Sequence, residues 1–399
     1  MILAAAALAA LVAAAPAEAR MERAYIGTFT NTSGGRVGQL GPRGEGIYLT
    51  EIDSETGRMT TPRLVAKTPS PTWLVADPAR GVLYACNYYH GFTDPAQPRG
   101  AGAISAFRID KANGELTLIN QVSVGDAPAQ AALDPSGKWL VAANYDMGSA
   151  TVVPVAADGR LGAYTDLIKP QGSAGPSQAA DSPPGNLATS GHDHSRMHGV
   201  AFDPSGKYVI LDDAGLDRIS VFALSSAGKL KKVADYPQVA GSAPRHSVFG
   251  SGGRILYTLF EQNAKIAVSD FDPASGAIRQ RQMISMLPPG FAGSVSGAEL
   301  LLSKDGRDLY ASGRFHDVIV HFRIGKEGLL TYAGEVPAQT NFVRGLAIDP
   351  SDGLLLAMGQ YGDNVVAFRR DATSGAPVPL NLYAPVPSPV AMVFADPGP

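Results

Sequence analysis

The stretch "HDHSRMHGVAFDPSGK", residues 192–207, sets three histidines and an arginine ahead of an alternating apolar segment. His192, His194 and His198 invite a metal reading, but their spacing fits no structural zinc pattern, and the first two sit in a run without strand periodicity. His198 differs from them because it opens the apolar segment. An imidazole fixed at the end of a strand suits general acid or base work, and neither a metal nor a cofactor is expected.

What positions His198 is a repeat. The "DPSGK" turn recurs with the same surroundings in "TWLVADPARGVLYACNYY", "AQAALDPSGKWLVAANYD", "HGVAFDPSGKYVILDDAG", "RHSVFGSGGRILYTLFEQ", "AELLLSKDGRDLYASGRF" and "RGLAIDPSDGLLLAMGQY". A partial seventh copy, "AMVFADP", closes the chain. Copies lie about 46 to about 69 residues apart, in the range of propeller blades. Each is an apolar strand, a Gly-containing turn and a second apolar strand, and segments such as "GAISAFRID" and "DVIVHFRI" add a third. A following "G-x-L" stretch brings the count to about four strands per unit. One such sheet cannot bury both faces, whereas a ring of them can. The fold expected is all-β, a seven-bladed β-propeller of four-stranded blades. "RAYIGTFT" and "EGIYLTEID" supply the strands that "AMVFADP" lacks, so both chain termini close the last blade. Residues 20–399 then form one domain, with an insertion at about 156–197 too rich in Gly, Pro, Ser and Ala for a hairpin loop.

Alignment of the copies shows where chemistry breaks the pattern. Five residues before the turn Asp stand Thr72, Ala129, His198, Arg245, Ala298, Arg344 and Ala391. Ten or eleven residues after it stand Asn87, Asn144, Asp213, Glu261, Arg314 and Gln360. In an antiparallel hairpin both sets lie at the end away from the turn, ringing one mouth of the central channel. Three Arg there suit an anionic or oxygen-rich ligand, and His198 and Glu261 suit acid–base roles. His246 and His316, next to mouth positions, are expected on the other side of their strands.

The 45% hydrophobic and 17% charged content is that of a globular protein, and a net charge of -3 argues against nucleic acid or anionic membrane as partners. The opening "MILAAAALAALVAAAPAEA" ends in the small-x-small pattern Ala17-Glu18-Ala19 and reads as a signal peptide over residues 1–19. No other stretch is apolar enough to cross a bilayer. The sequence holds one cysteine, Cys86, expected as a buried inert thiol, so burial rather than disulfides must hold the fold. A periplasmic or secreted monomer follows.

The opening "YIGTFT" with "GEGIY", the block "HGVAFDPSGKYVILDDAGLDRISVF", "APRH" and "VRGLAIDPS" resemble the lactonase family of seven-bladed propellers. That family includes the propeller type of 6-phosphogluconolactonase and the fungal carboxymuconate lactonising enzyme. The resemblance implies a catalytic set at His198, Arg245, Glu261 and Arg314, four residues the alignment of copies also selects. It implies a lactone hydrolase acting on a sugar or other anionic lactone; Arg344, Asp213, Asn144 and Gln360, from the ring positions of the repeat, and Arg196 beside His198 are expected to bind the substrate. Two departures stand out: Arg196-Met197-His198 replaces a His-x-His pair, and Asn87-Tyr88 and Asn144-Tyr145 replace Asn-Glu pairs. The alternatives are a lactonising cycloisomerase of the carboxymuconate type and a non-catalytic propeller that binds a ligand or protein.

Overall fold

The repeated turn Asp is a cap. In the computed structural model, which describes residues 20–30, 43–94 and 97–395, Asp203 Oδ1 accepts from Tyr208 N at 2.6 Å and Oδ2 from Ser205 N at 3.1 Å. Gly206, at φ 72°, supplies the left-handed residue that closes the turn. The same Oδ1 contact recurs at 2.6 Å from Asp134 to Trp139 N and from Asp349 to Leu354 N. Where the fifth copy has Ser303, its hydroxyl accepts from Asp308 N at 3.0 Å instead. Residues 1–19, expected as a signal peptide, lie outside the described residues.

Seven antiparallel sheets of four strands result. Their innermost strands, in chain order, are Pro71–Asp77, Pro128–Leu133, Met197–Phe202, Pro244–Phe249, Ser296–Leu302, Val343–Ile348 and Pro389–Phe394, and they define blades 1 to 7. Blade 7 takes its other three strands from Met21–Thr28, Gly46–Asp53 and Arg63–Lys67, with Tyr25 opposite Val393. Both ends of the chain thus close the ring.

The core lies between blades rather than within them. In blade 3, Tyr208 and Ile210 point toward blade 4 and pack with Leu256 and Phe260, while the alternate residues Val209 and Leu211 point toward blade 2 and pack with Val141 and Val152. Both faces of the strand are buried, which is why it reads as a nearly continuous apolar run. Tyr25 and Ile47 of blade 7 meet Leu83 and Ala85 of blade 1 in the same way, so the closing interface is built like the others. Each fully buried Leu, Ile or Val contributes about 1.5–3 kcal/mol, and the ring distributes that gain over every interface.

A second repeated contact clasps neighbours. Tyr25, Tyr84, Tyr257 and Tyr310 each donate their hydroxyl to a glycine carbonyl in the next blade's outer turn, Gly114, Gly159, Gly328 and Gly375, at 2.6–3.1 Å. Buried tyrosines satisfied this way lock blade spacing without leaving an orphan hydroxyl.

Candidate active site

The mouth is set by a bulge repeated in the inner strands. His198 lies between the pairs Met197 with Asp213 and Gly199 with Asp212, and so faces no residue of its own. Arg245 is skipped in the same way between Pro244 and His246, and Arg344 between Val343 and Gly345. Thr72 and Ala129 occupy matching bulges in blades 1 and 2. A bulge re-aims side chains and breaks the two-residue alternation. That break corrects the expectation for His246. It is buried beside Arg245, whose Nη1 lies 3.3 Å from His246 Nε2, and its ring sits 5.1 Å from that of His198.

The cluster is built on one carboxylate. Glu261 Oε2 accepts from Arg245 Nε at 3.1 Å, and Oε1 pairs with Arg314 Nη2 at 3.0 Å. Arg314 Nη2 also donates to Ser296 Oγ at 2.6 Å, and its guanidinium lies over the Phe342 ring, 5.4 Å from the centroid. Arg344 lies over Phe29 at 5.2 Å, and among the described residues it forms no ion pair. Below them His246 Nδ1 is 2.9 Å from Glu299 Oε1. His198 packs edge-on to Tyr145 at 5.5 Å, and its Nδ1 is buried with no hydrogen-bond partner among the described residues.

Burial and the surrounding arginines act together on these groups. Burial, then the charges of Arg245, His246, Arg344 and Arg314, hold His198 well below the usual histidine range, so its ring is neutral. Burial would raise Glu261, but Arg314, Arg245 and Arg344 outweigh it and keep the carboxylate ionised. Burial pushes Arg245 down to about 9, with help from Arg314 and Arg344, and the same causes lower Arg344. The result is three guanidiniums against one bridging carboxylate, beside an uncharged imidazole.

Of the outer set, Glu261 and Arg314 join this cluster, but Asn144 and Asp213 do not. Asn144 Nδ2 donates to Ser149 and Thr151 at 3.0 and 2.8 Å, and Asp213 accepts from Ser195 Oγ and Arg196 N at 2.7 and 2.9 Å. Asp213 is thus tied to the segment leading into its inner strand and Asn144 to the next strand of its blade, with Asn144 Oδ1 buried and unpartnered among the described residues. Asn87 is tied likewise, donating to Thr68 Oγ1 at 2.8 Å. They stand ten residues after the turn Asp, within the ladder, whereas Glu261, Arg314 and Gln360 stand eleven after, Glu261 and Gln360 just past their strands and Arg314 paired with Ser296 at the end of its own. The eleventh residue in blades 1 and 2 is Tyr88 and Tyr145, and it is these that border the cluster. Gln360 has a buried Oε1 without a hydrogen-bond partner among the described residues. Arg196 is engaged by Asp193 at 2.8 Å and Asp146 at 2.5 Å, and its guanidinium lies 5.2 Å over Tyr145.

The other two histidines diverge from His198. His192 Nε2 meets Asp217 Oδ1 at 3.1 Å and His194 Nε2 meets the Asp146 carbonyl at 2.8 Å. Among the described residues no group of His, Cys, Asp and Glu is placed to hold a metal. The segment after Ile168 crosses the mouth face: Asp181 accepts from Lys265 at 2.6 Å, the Pro184 carbonyl from Gly293 N at 2.8 Å, and Gly191 N donates to Tyr145 Oη at 3.3 Å. Beneath the His246–Glu299 layer lies an apolar lumen of about 610 Å³, lined by residues such as Trp73, Leu301, Leu346 and Met392. Glu299 also lines it, and Trp73 meets the His246 ring at 5.3 Å.

Residues 23–394 match a family model described as "Lactonase, 7-bladed beta-propeller". A 6-phosphogluconolactonase of Bacillus subtilis is 29% identical over 372 residues, 93% of this chain and 97% of that protein. A 6-phosphogluconolactonase of Formosa agariphila is 28% identical over 359 residues, 88% of this chain and 93% of that one. Among solved structures, the periplasmic gluconolactonase PpgL of Pseudomonas aeruginosa superposes with a TM-score of 0.81 at 27% identity, covering 94% of this chain and 99% of that one. The chain belongs to the lactonase family of seven-bladed β-propellers, enzymes that open cyclic esters.

Proposed function

We propose that the mouth hydrolyses a sugar lactone or another lactone bearing an anionic substituent, with His198, Arg245, Glu261 and Arg314 as its working residues. The observation that carries this reading is the charge imbalance: three guanidiniums surround one carboxylate, which pairs with Arg245 and Arg314, while Arg344 forms no ion pair among the described residues. A neutral His198 takes a proton from water as the water attacks the lactone carbonyl. The oxyanion that forms is held by the guanidiniums of Arg245 and Arg314, already fixed in place before reaction. Glu261 has both oxygens committed to those arginines, so its part is to aim them. Arg344 receives a carboxylate, a phosphate or a polyol edge of the substrate.

The apolar opening of residues 1–19 and the likeness to a periplasmic gluconolactonase support an exported enzyme acting on an unphosphorylated aldonolactone. The test is ring opening followed by pH-stat, with glucono-1,5-lactone and 6-phosphogluconolactone, counting only the excess over spontaneous opening. Excess turnover that Arg245→Ala abolishes supports the reading, and the preferred lactone shows whether phosphate is used. No excess on either lactone rejects it. Because His198 titrates well below 6.5, kcat/KM should stay level from neutral pH down and fall only in acid.

A further inference from the structure

Resting on the lactone-hydrolase reading, one step still calls for a proton donor. Collapse of the tetrahedral intermediate breaks the bond from carbon to ring oxygen and leaves an alkoxide that must take a proton. Arg245, Arg314 and Glu261 are tied to one another, so the proton comes either from the His198 imidazolium formed when water was deprotonated or from a second acid beside it.

Tyr145 borders the cluster beside His198. It is the first residue beyond the ladder of its blade, its ring lies edge-on to His198 at 5.5 Å, and its charge environment includes Glu261. Its hydroxyl oxygen accepts from Gly191 N at 3.3 Å, which fixes the group while leaving the phenolic proton without an acceptor among the described residues. The Arg196 guanidinium over the ring, 5.2 Å away, stabilises negative charge that develops there.

We propose that Tyr145 is a catalytic residue that donates its phenolic proton to the ring oxygen of the lactone as the ring opens. The electron pair of the breaking bond goes to that oxygen, which takes the phenolic proton. The phenolate then takes the proton that His198 removed from water. Enzyme and charge return to the starting state, and the hydroxy acid product releases its carboxyl proton to solvent. Burial, reinforced by Glu261, raises the phenol and keeps it protonated at neutral pH.

The experiment is Tyr145→Phe, which keeps the ring against His198 and Arg196, assayed on a panel of lactones running from alkyl esters to aryl esters such as dihydrocoumarin. A phenoxide leaving group needs no proton, so the variant should lose about 100-fold in kcat/KM on alkyl lactones and about threefold or less on aryl ones. Equal loss across the panel, or no loss on alkyl lactones, overturns the proposal and makes Tyr145 a packing residue. Incorporation of 3,5-difluorotyrosine at 145 gives a second reading: a more acidic phenol should change the alkyl rates and leave the aryl rates alone, and indifference on both overturns the donor role. If the wild-type protein opens no lactone, the hydrolase reading falls and this role falls with it.

Discussion

The two ends of each inner hairpin follow opposite rules. At the turn end, Asp134, Asp203 and Asp349 make the same contact at the same 2.6 Å, and the serine that replaces them in blade 5 performs the same duty. At the mouth end the backbone repeats but the side chains do not: the same bulge carries Thr72, Ala129, His198, Arg245 and Arg344. A bulge under Ala129 has no chemistry to serve, so it belongs to the fold, and three blades use it to aim a titratable group. Repetition marks what every blade needs, and divergence at a repeated backbone position marks what only the site needs.

The sharpest break in that comparison is expected at His198. His198→Ala removes a ring that makes no hydrogen bond through Nδ1, so the fold should survive. Loss of the base should lower kcat/KM by about 10²–10⁴-fold. Lactone turnover measured beside thermal unfolding checks this, and a drop in Tm without a drop in rate would reverse the assignment.

Glu261 is the exception on the mouth side, because it serves both ends of the argument. Glu261→Gln leaves two buried guanidiniums without their shared anion, and breaking a buried pair in this way costs about 3–5 kcal/mol. Urea unfolding should show that loss along with weakened turnover. Asp203→Ala, at the turn end, should cost about 1.5–3 kcal/mol by the same measurement, since a carboxylate accepting backbone N–H bonds is lost. Its turnover per folded molecule should match the wild type.

Most of the turn end was legible in the sequence, because "DPSGK" and its variants state the cap directly, and the strands missing from "AMVFADP" foretold closure by "RAYIGTFT" and "EGIYLTEID". The mouth was legible only as far as position. Counting five residues back found His198, Arg245 and Arg344, but nothing in an alternating pattern announces a bulge, so His246 was assigned to the wrong side. Counting forward reached ten residues in three blades and eleven in the other three. Asn87, Asn144 and Asp213 end the ladder, and a one-residue shift changes the face a side chain occupies. The copies with Glu261 and Arg314 held the clue, since there the polar residue follows Phe260 and Gly313.

Arg344 offers a smaller test of the same contrast. Its guanidinium is held near Arg314 without an acidic partner, so Arg344→Met should relieve repulsion and leave Tm unchanged or raised. The cost should appear in substrate binding, as a rise in KM of about tenfold for an anionic lactone, the scale of one charge-assisted contact. A residue kept for the fold would show the reverse, a lower Tm with KM untouched.

The smallest effect expected is a pH slope behind the mouth. Asp212, opposite Gly199 and hydrogen-bonded by Ser247 Oγ at 2.9 Å, joins blade 3 to blade 4, and burial raises its carboxyl from 3.8 to about 7. The native state therefore holds this proton between pH 3.8 and about 7, where the unfolded chain has released it. Its contribution is greatest below 3.8 and declines as pH rises through the folded value, the opposite sign to Glu261, whose stabilisation is lost in acid. Asp212→Asn keeps the shape and removes the titration. The difference in unfolding free energy between variant and wild type should therefore grow in the variant's favour from pH 4 to pH 7 and level off above it. A difference that stays flat over that range would show that Asp212 is ionised in the native state and matched by a cation.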